Sequence, residues 1–379
     1  MGLSTEAPEI APPPAVPEDF PGLLAGFRDK LDRVLSAWLA EKRDEAVAAG
    51  SPETLELIDG VGLLATQGGK RVRPALVYYT YRACGGTSDE ESLPLALATE
   101  LLHTYLLIHD DIMDHAETRR GLPAAHVRFR DEHQAHHLHG DPVDYGQSVA
   151  ILLGDLAQSW AVDLATGVAV GSGSRELARC FAAMCQEVIG GQFLELLVAQ
   201  RRTASEEELL RVLRLKSGRY TAERPIQLGA LLAGAPADVV APLSRYGTAV
   251  GEAFQLQDDL LGMFGDPEAT GKPVDADLRE GKFTFLIHHA LAAATPEQRR
   301  VLEAALGNSM ATARQILDAV RVLEETGAHT AVEAMVDERL RAARAALAEL
   351  SGLAPDGRLF PEGQTFLEGL IEYLRERKL

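Results

Sequence analysis

Glu90-Glu-Ser-Leu-Pro-Leu-Ala-Leu-Ala-Thr-Glu-Leu-Leu-His-Thr-Tyr-Leu-Leu-Ile-His-Asp-Asp-Ile-Met-Asp114 is the stretch on which the reading of this chain turns. Its apolar residues recur at helical spacing. Gly85-Gly86 stops the helix before it, and Ser88 with Glu91 forms a capping-box start. On a wheel of about 100° per residue, His103, Asp110 and Asp114 fall within about 40° of one another. Carboxylates at i, i+1 and i+4 cluster on one side of a helix. In apolar surroundings they repel each other, so something positive must hold them. A second pair, Asp258-Asp259, follows about 150 residues later, after the mostly apolar Ala253-Phe-Gln-Leu256. Two such patches facing one cavity would hold hard divalent cations through oxygen ligands, with magnesium and bound phosphate as the natural occupant. The alternative is a pair of solvated acidic faces, and the apolar residues before each patch speak against it.

Helical periodicity continues on both sides. Helices are expected at Leu23–Ala48, Pro52–Leu64 and Val72–Cys84, then at Tyr145–Val170, Ser174–Gln200, Ser205–Lys216, Tyr220–Ala233 and Val240–Met263. A last group covers Phe283–Ala294, Thr312–Glu325, Ala328–Leu350 and Pro361–Arg377. No segment shows sustained β alternation, so the fold class is all-α: a single-domain helical bundle. Residues 1–17, rich in Pro, Ala and Glu, read as a disordered leader, and residues 18–379 as the domain. The segment from Gly121 to Asp144 carries His126, His133, His136, His137 and His139 at irregular spacing. It reads as a short helix and a solvated loop, not as a metal tract.

Composition narrows the partners. The 379 residues carry a net charge of −19, which leaves no basic face for nucleic acid. Any diphosphate must therefore be held by a local basic cluster or by metal, against the overall field. Cys84, Cys180 and Cys185 lack metal-ligand spacing and read as reduced thiols of a cytoplasmic protein. The N-terminus shows no signal-peptide pattern. The apolar run Ser148 to Gly171 is interrupted by Asp155 and Asp163 and reads as a core helix, not a membrane span.

Several cationic segments accompany the acidic patches. Gly68-Gly69-Lys70-Arg71-Val72-Arg73-Pro74 puts three cations at a helix N-terminus, which makes an anion site. It lacks the Walker pattern. Arg119-Arg120-Gly121 follows Asp114, where the arginines either pair with nearby acids or grip a diphosphate. Lys272 and Lys282 flank Asp275, Asp277 and Glu280, and Lys216-Ser217-Gly218-Arg219-Tyr220-Thr221 adds another lysine with hydroxyls. Gln192 and Gln255 are amides inside apolar helical patterns. Together they describe a cavity with metals in the middle and two separate basic pockets.

The set Gly-Gly-Lys-Arg-x-Arg-Pro, Glu100-x-x-His103, Asp-Asp-x-x-Asp with Arg-Arg-Gly, Gly191-Gln192, Lys216-Ser217 and Phe254-Gln255-x-x-Asp258-Asp259 resembles the trans-isoprenyl diphosphate synthases, the polyprenyl synthetase family. The match runs in family order from about Gly68 to Lys282. The resemblance implies an all-α fold around a central cavity, usually as a homodimer. It implies condensation of isopentenyl diphosphate with an allylic diphosphate (dimethylallyl, geranyl or farnesyl). By that resemblance Asp110, Asp111, Asp114, Asp258 and Asp259 ligate Mg2+ around the allylic diphosphate, helped by Arg119, Lys216, Lys272 and Lys282. Lys70, Arg73, His103 and Arg120 would bind isopentenyl diphosphate. Gln192, Ser217 and Gln255 complete the site, and Glu195 stands where the family more often has Asp.

One departure stands out: the second patch ends in Gly262 where the family pattern has a third aspartate, and Asp266 is the nearest substitute in sequence. Tyr105 and Leu106, five and four residues before the first aspartate, help set product length in the family. By the same resemblance the Asp-Asp-x-x-Asp without insertion, Tyr105 and the Lys216–Thr221 segment favour geranylgeranyl diphosphate, with farnesyl diphosphate as runner-up. A magnesium-dependent terpene cyclase would need no second basic pocket, and a catalytically dead partner subunit would have lost more of the charged residues.

Overall fold

The computed structural model describes residues 19–265, 276–350 and 359–376. The leader, Asp266, Lys272, Asp275 and the expected helix end at Arg377 lie outside them. The described chain is an all-α bundle, as its periodicity predicts. Its first helices are α1 (Phe20–Ala48), α2 (Thr54–Thr66), α3 (Val72–Ala83) and α4 (Asp89–Met113). After α5 (Ala125–Ala135) come two long helices, α6 (Pro142–Ser172) and α7 (Arg175–Arg201). Beyond α8 (Glu206–Val212), a π-helical segment (Leu213–Glu223) leads into α9 (Arg224–Leu232) and α10 (Ala237–Phe264). The C-terminal part holds a short helix (Ala276–Glu280) and helices Phe285–Ala293, Pro296–Ala305, Ala313–Glu325, Ala328–Leu350 and Pro361–Glu376.

Helix α4 begins where expected, with Ser88 accepting from the Glu91 backbone N–H at its N-cap. The expected capping box is not closed: the Ser88 N–H donates to the Tyr81 hydroxyl, which in turn donates to Glu91. It lies against α3 and α6, while α10 packs on the π segment and on Ala328–Leu350. Two glycines permit the close approaches that shape the centre. A Cβ on Gly191 of α7 would sit 2.3 Å from the Lys216 backbone nitrogen, and one on Gly251 of α10 would sit 2.2 Å from the Gly218 carbonyl oxygen. The π segment is thereby clamped between α7 and α10.

Three local features differ from expectation. The break expected between Lys216 and Tyr220 is absent; the chain runs through as a wide π turn. Gly218 is buried within this segment without breaking it, and it is Gly251 of α10 that allows the close approach to the Gly218 carbonyl. Thr118–Arg119 and Leu122–Pro123 form a two-residue antiparallel ribbon, too short to show alternation in sequence. Its turn residues Arg120 and Gly121 both have positive φ, 52° and 80°, as a tight hairpin turn requires. Helix Pro296–Ala305 was also not expected, although Thr295 and Gln298 form its capping box.

Helices α6 and α7 bury only one face. Leu153, Ala157, Ala161, Leu177, Met184 and Val188 enter the core. On the same two helices Ile151, Leu152, Val162, Ile189 and Phe193 stay exposed, Phe193 at 67%. Both helices are long and apolar enough to cross a membrane by length and composition, with about a third or less of the apolar window buried. The Ser148–Gly171 segment is therefore a core helix along one face only.

Candidate active site

A cavity of about 670 Å³ opens among α4, α7, the π segment, α10 and the Lys282–Phe285 stretch. Its polar lining brings together Lys70, Asp110, Arg119, Glu195, Lys216, Ser217, Gln255, Asp258, Asp259, Asp277 and Lys282. Residues from both acidic patches thus share one chamber, as the sequence predicts. The apolar wall includes Leu107, Val198, Leu209, Leu213, Phe283 and Phe285.

Within this chamber the charges are interlocked. Gln192 donates its amide to Asp110 Oδ1 at 2.8 Å, and Lys216 Nζ lies 3.6 Å from the same oxygen. Lys216 also pairs with Glu195. Burial disfavours the Lys216 charge, but Glu195 and Asp110 overcome it and hold its pKa above the ordinary lysine value. Lys282 is in the same position: burial opposes its charge, while Asp277 and Asp114 raise its pKa well above normal. Its Nζ stands 3.4 Å from Asp277, 3.5 Å from Asp114 and 2.7 Å from Glu280. Gln255 donates to Asp259 Oδ1 at 2.8 Å. Burial first, and then the Asp277 charge, push the Asp259 carboxyl far above the usual carboxylate range.

The five aspartates are not equivalent. Asp110, Asp258 and Asp259 line the cavity. Asp111 is buried in a two-pronged pair with Arg119, whose Nε donates to its oxygens at 2.9 and 3.2 Å. Asp114 faces Lys282. At Gly262 a Cβ would lie 2.9 Å from Asp277 Oδ2. The Asp277 carboxylate thus fills the space beside Gly262 from across the cavity, a role the sequence reading gave to Asp266.

Among the described residues no three carboxylate, imidazole or thiol side chains form a ready-made metal cage. The residues nevertheless fit magnesium. The donors are all hard oxygens, and the crowding at Asp259 is of the kind a divalent cation relieves. Mg2+ also characteristically takes one or two carboxylates plus substrate phosphate oxygens, with water filling the remaining positions.

A second basic corner lies where α3, α4, the hairpin and the π segment meet. Arg71 is buried and consumed internally: it pairs with Glu100 and donates to Asp32 at 3.0 Å and to the Ala65 carbonyl at 2.6 Å. It braces the loop and leaves Lys70 and Arg73 on either side. Among the described residues Arg73 and Arg120 have no carboxylate partner. Arg73 donates to Thr221 Oγ1 at 2.9 Å, lies 4.4 Å over the Tyr220 ring, and has a buried Nε without a hydrogen-bond partner. Arg120 donates to the Gln67 and Gly68 carbonyls at 2.9 and 3.1 Å. Burial, then Arg73 and Arg120, hold the His103 pKa well below the usual imidazole value. Two arginines and a neutral histidine without a matching acid make an anion site.

Sequence reasoning grouped Tyr220 and Thr221 with Lys216 as hydroxyls without placing them at the arginine corner, and it missed the Arg71–Glu100 brace. It placed Tyr105 and Leu106 at the pocket floor, whereas the apolar α4 residue lining the cavity is Leu107. Tyr105 is buried against His109, with ring centroids 4.8 Å apart. Lys272 lies outside the described residues.

This arrangement, an all-α bundle whose cavity carries carboxylates, lysines and a separate arginine corner, defines a class of diphosphate-handling synthase. The Polyprenyl synthetase family model matches residues 57–323. A short chain isoprenyl diphosphate synthase of Methanocaldococcus jannaschii is 33% identical over 286 residues, 76% of this chain and 82% of the relative. A geranylfarnesyl diphosphate synthase of Aeropyrum pernix is 32% identical, covering 86% of this chain and 95% of its own. The crystal structure of geranylgeranyl pyrophosphate synthase from Corynebacterium glutamicum, complexed with isoprenyl diphosphate and magnesium, superposes with a TM-score of 0.85. It is 34% identical and is matched over 94% of this chain and 99% of its own. The chain belongs to the polyprenyl synthetase family and is a trans-prenyltransferase.

Proposed function

We propose that this protein condenses isopentenyl diphosphate with an allylic diphosphate to give geranylgeranyl diphosphate, and that it does so with Mg2+. The observation that carries this reading is that the carboxylate-lined cavity is accompanied by a separate basic corner of Arg73, His103 and Arg120, whose two arginines have no carboxylate partner among the described residues. A single-diphosphate enzyme such as a terpene cyclase has no use for the Arg73–His103–Arg120 corner.

The chemistry follows from charge. Asp110, Asp258 and Asp259, with Asp111 and Asp114 behind them, would hold magnesium, which neutralises the allylic diphosphate as it leaves. Lys216 and Lys282 add positive charge where that leaving group develops its own negative charge. Lys70, Arg73, His103 and Arg120 hold the second diphosphate, so the isopentenyl double bond can meet the allylic carbon. The apolar wall of Leu107, Val198, Leu209, Leu213 and Phe283 keeps water from the cation that forms there. The names of the relatives support a product of about this length, and the same assay would reveal farnesyl diphosphate instead. The test is incubation with labelled isopentenyl diphosphate and dimethylallyl, geranyl or farnesyl diphosphate, followed by chromatography of the chain. Label in a twenty-carbon diphosphate is the expected result. No incorporation with any primer would overturn the reading.

The reading includes a homodimer. The exposed apolar faces of α6 and α7 support it, because residues such as Leu152 and Phe193 are costly to leave in water. Light scattering should give twice the chain mass, and Phe193→Lys with Leu152→Lys should shift it to the monomer. A wild-type monomer would reject the assignment. A reducing, cytoplasmic setting is part of the same reading. It is supported by free Cys84, Cys180 and Cys185, whose thiols burial pushes up to about 12, 11 and 11.

A further inference from the structure

Among the described residues Tyr220 is the aromatic residue that touches two members of the basic corner at once. Its hydroxyl lies 2.5 Å from His103 Nδ1, and its ring forms the shelf under the Arg73 guanidinium, 4.4 Å from the ring centroid. It reaches both because the π segment turns Tyr220 inward beside Thr221, which accepts from Arg73. The tyrosine is 5% exposed, and among the described residues its hydroxyl is hydrogen-bonded to the imidazole alone.

The bond between the two rings has two forms. In one, the phenol donates to a bare Nδ1, and the histidine carries its proton on Nε2. In the other, Nδ1–H donates to the phenol oxygen, and Nε2 keeps a lone pair. Phenols are better donors than acceptors, and the guanidinium over the ring withdraws electron density from the oxygen, which favours the first form. Burial and four neighbouring arginines keep the imidazole neutral, so one ring nitrogen must be bare. A bare Nε2 would turn its lone pair toward a phosphate oxygen, whereas Nε2–H donates to it.

We propose that Tyr220 is a positioning residue for the second diphosphate site: its hydroxyl fixes His103 as the Nε2–H tautomer while its ring holds Arg73. The proposal rests on the assignment of that corner to isopentenyl diphosphate. Tyr220 then acts on binding of this substrate and not on departure of the allylic diphosphate.

The test combines nitrogen NMR on 15N-histidine-labelled full-length protein with steady-state kinetics. His103→Gln assigns the His103 signals. Wild type should show a bare Nδ1 and a protonated Nε2 at His103. Tyr220→Phe keeps the shelf under Arg73 and removes only the hydroxyl. It should give a mixed or reversed tautomer, raise KM for isopentenyl diphosphate about tenfold, and leave kcat and the allylic KM within about twofold. Tyr220→Leu, which also removes the shelf, should raise that KM further. A protonated Nδ1 in the wild type would overturn the proposal, as would an unchanged KM in a folded Tyr220→Phe variant. If wild type showed no condensation at all, the functional reading would fail. The NMR arm, repeated with inorganic diphosphate, would still decide the tautomer.

Discussion

Asp110→Ala should lower kcat by about a thousandfold or more and leave the fold intact. Asp110 is the carboxylate of α4 that lines the cavity, and it is held in place by the Gln192 amide and the Lys216 ammonium. Losing a ligand that holds magnesium on the leaving diphosphate removes charge stabilisation worth about 4 kcal/mol or more of barrier. Excess chelator should abolish turnover for the same reason. Mg2+ should restore it and Zn2+ should do so poorly, because the proposed donors are all hard oxygens. Asp111→Ala is the informative contrast. Its carboxylate is the buried partner of Arg119, so this variant should lose thermal stability as well as activity. Circular dichroism melts beside single-turnover rates separate the two. Near wild-type rates in Asp110→Ala would remove the metal role of the first patch.

The parts of this molecule that were readable in sequence are those whose signals are local. Capping at Ser88, the stop at Gly85-Gly86 and the apolar spacing of α4 follow from backbone hydrogen bonding and one buried face. The carboxylates at 110, 111 and 114 share a side of α4 because helix geometry puts them there. What was not readable depends on partners distant in sequence. Sequence offers Asp114 or Glu117 as acids for Arg119; that Asp111 claims it instead depends on the two-residue hairpin turned at Arg120-Gly121. Periodicity at 3.6 residues does not reveal a π turn, so Lys216 to Tyr220 looked like a break and Tyr220 was not placed at the arginine corner. The filling of the space beside Gly262 by Asp277 depends on how the chain returns after α10, which no spacing rule encodes. The apolar residues of α6 and α7 read as core because composition does not tell which face is buried within one chain. Helix Pro296–Ala305 had its capping box but only a narrow apolar stripe, centred on the buried Leu302 and Ala305.

Arg73→Ala and Arg120→Ala should each raise KM for isopentenyl diphosphate by ten- to a hundredfold and change the allylic KM by no more than about twofold. Lys216→Ala should do the reverse. The basis is the charge balance of the two regions. Arg71 is neutralised by Glu100 and Asp32, and Arg119 by Asp111, so their charge is already used within the protein. Among the described residues Arg73 and Arg120 have only neutral partners, and the buried Arg73 Nε still lacks an acceptor. A diphosphate supplies the missing acceptors, and removing one such cation costs about 1.5–3 kcal/mol, a ten- to hundredfold change in affinity. Lys216 instead sits between Asp110 and Glu195 in the carboxylate chamber, so its loss should be felt by the substrate whose diphosphate departs there. Steady-state kinetics with each substrate varied at saturating levels of the other would read both constants, and a melting curve on each variant would separate binding from folding defects. If all three variants weakened both substrates equally, the cavity would hold one diphosphate site. The two-substrate condensation would then give way to a cyclase that ionises a single allylic diphosphate.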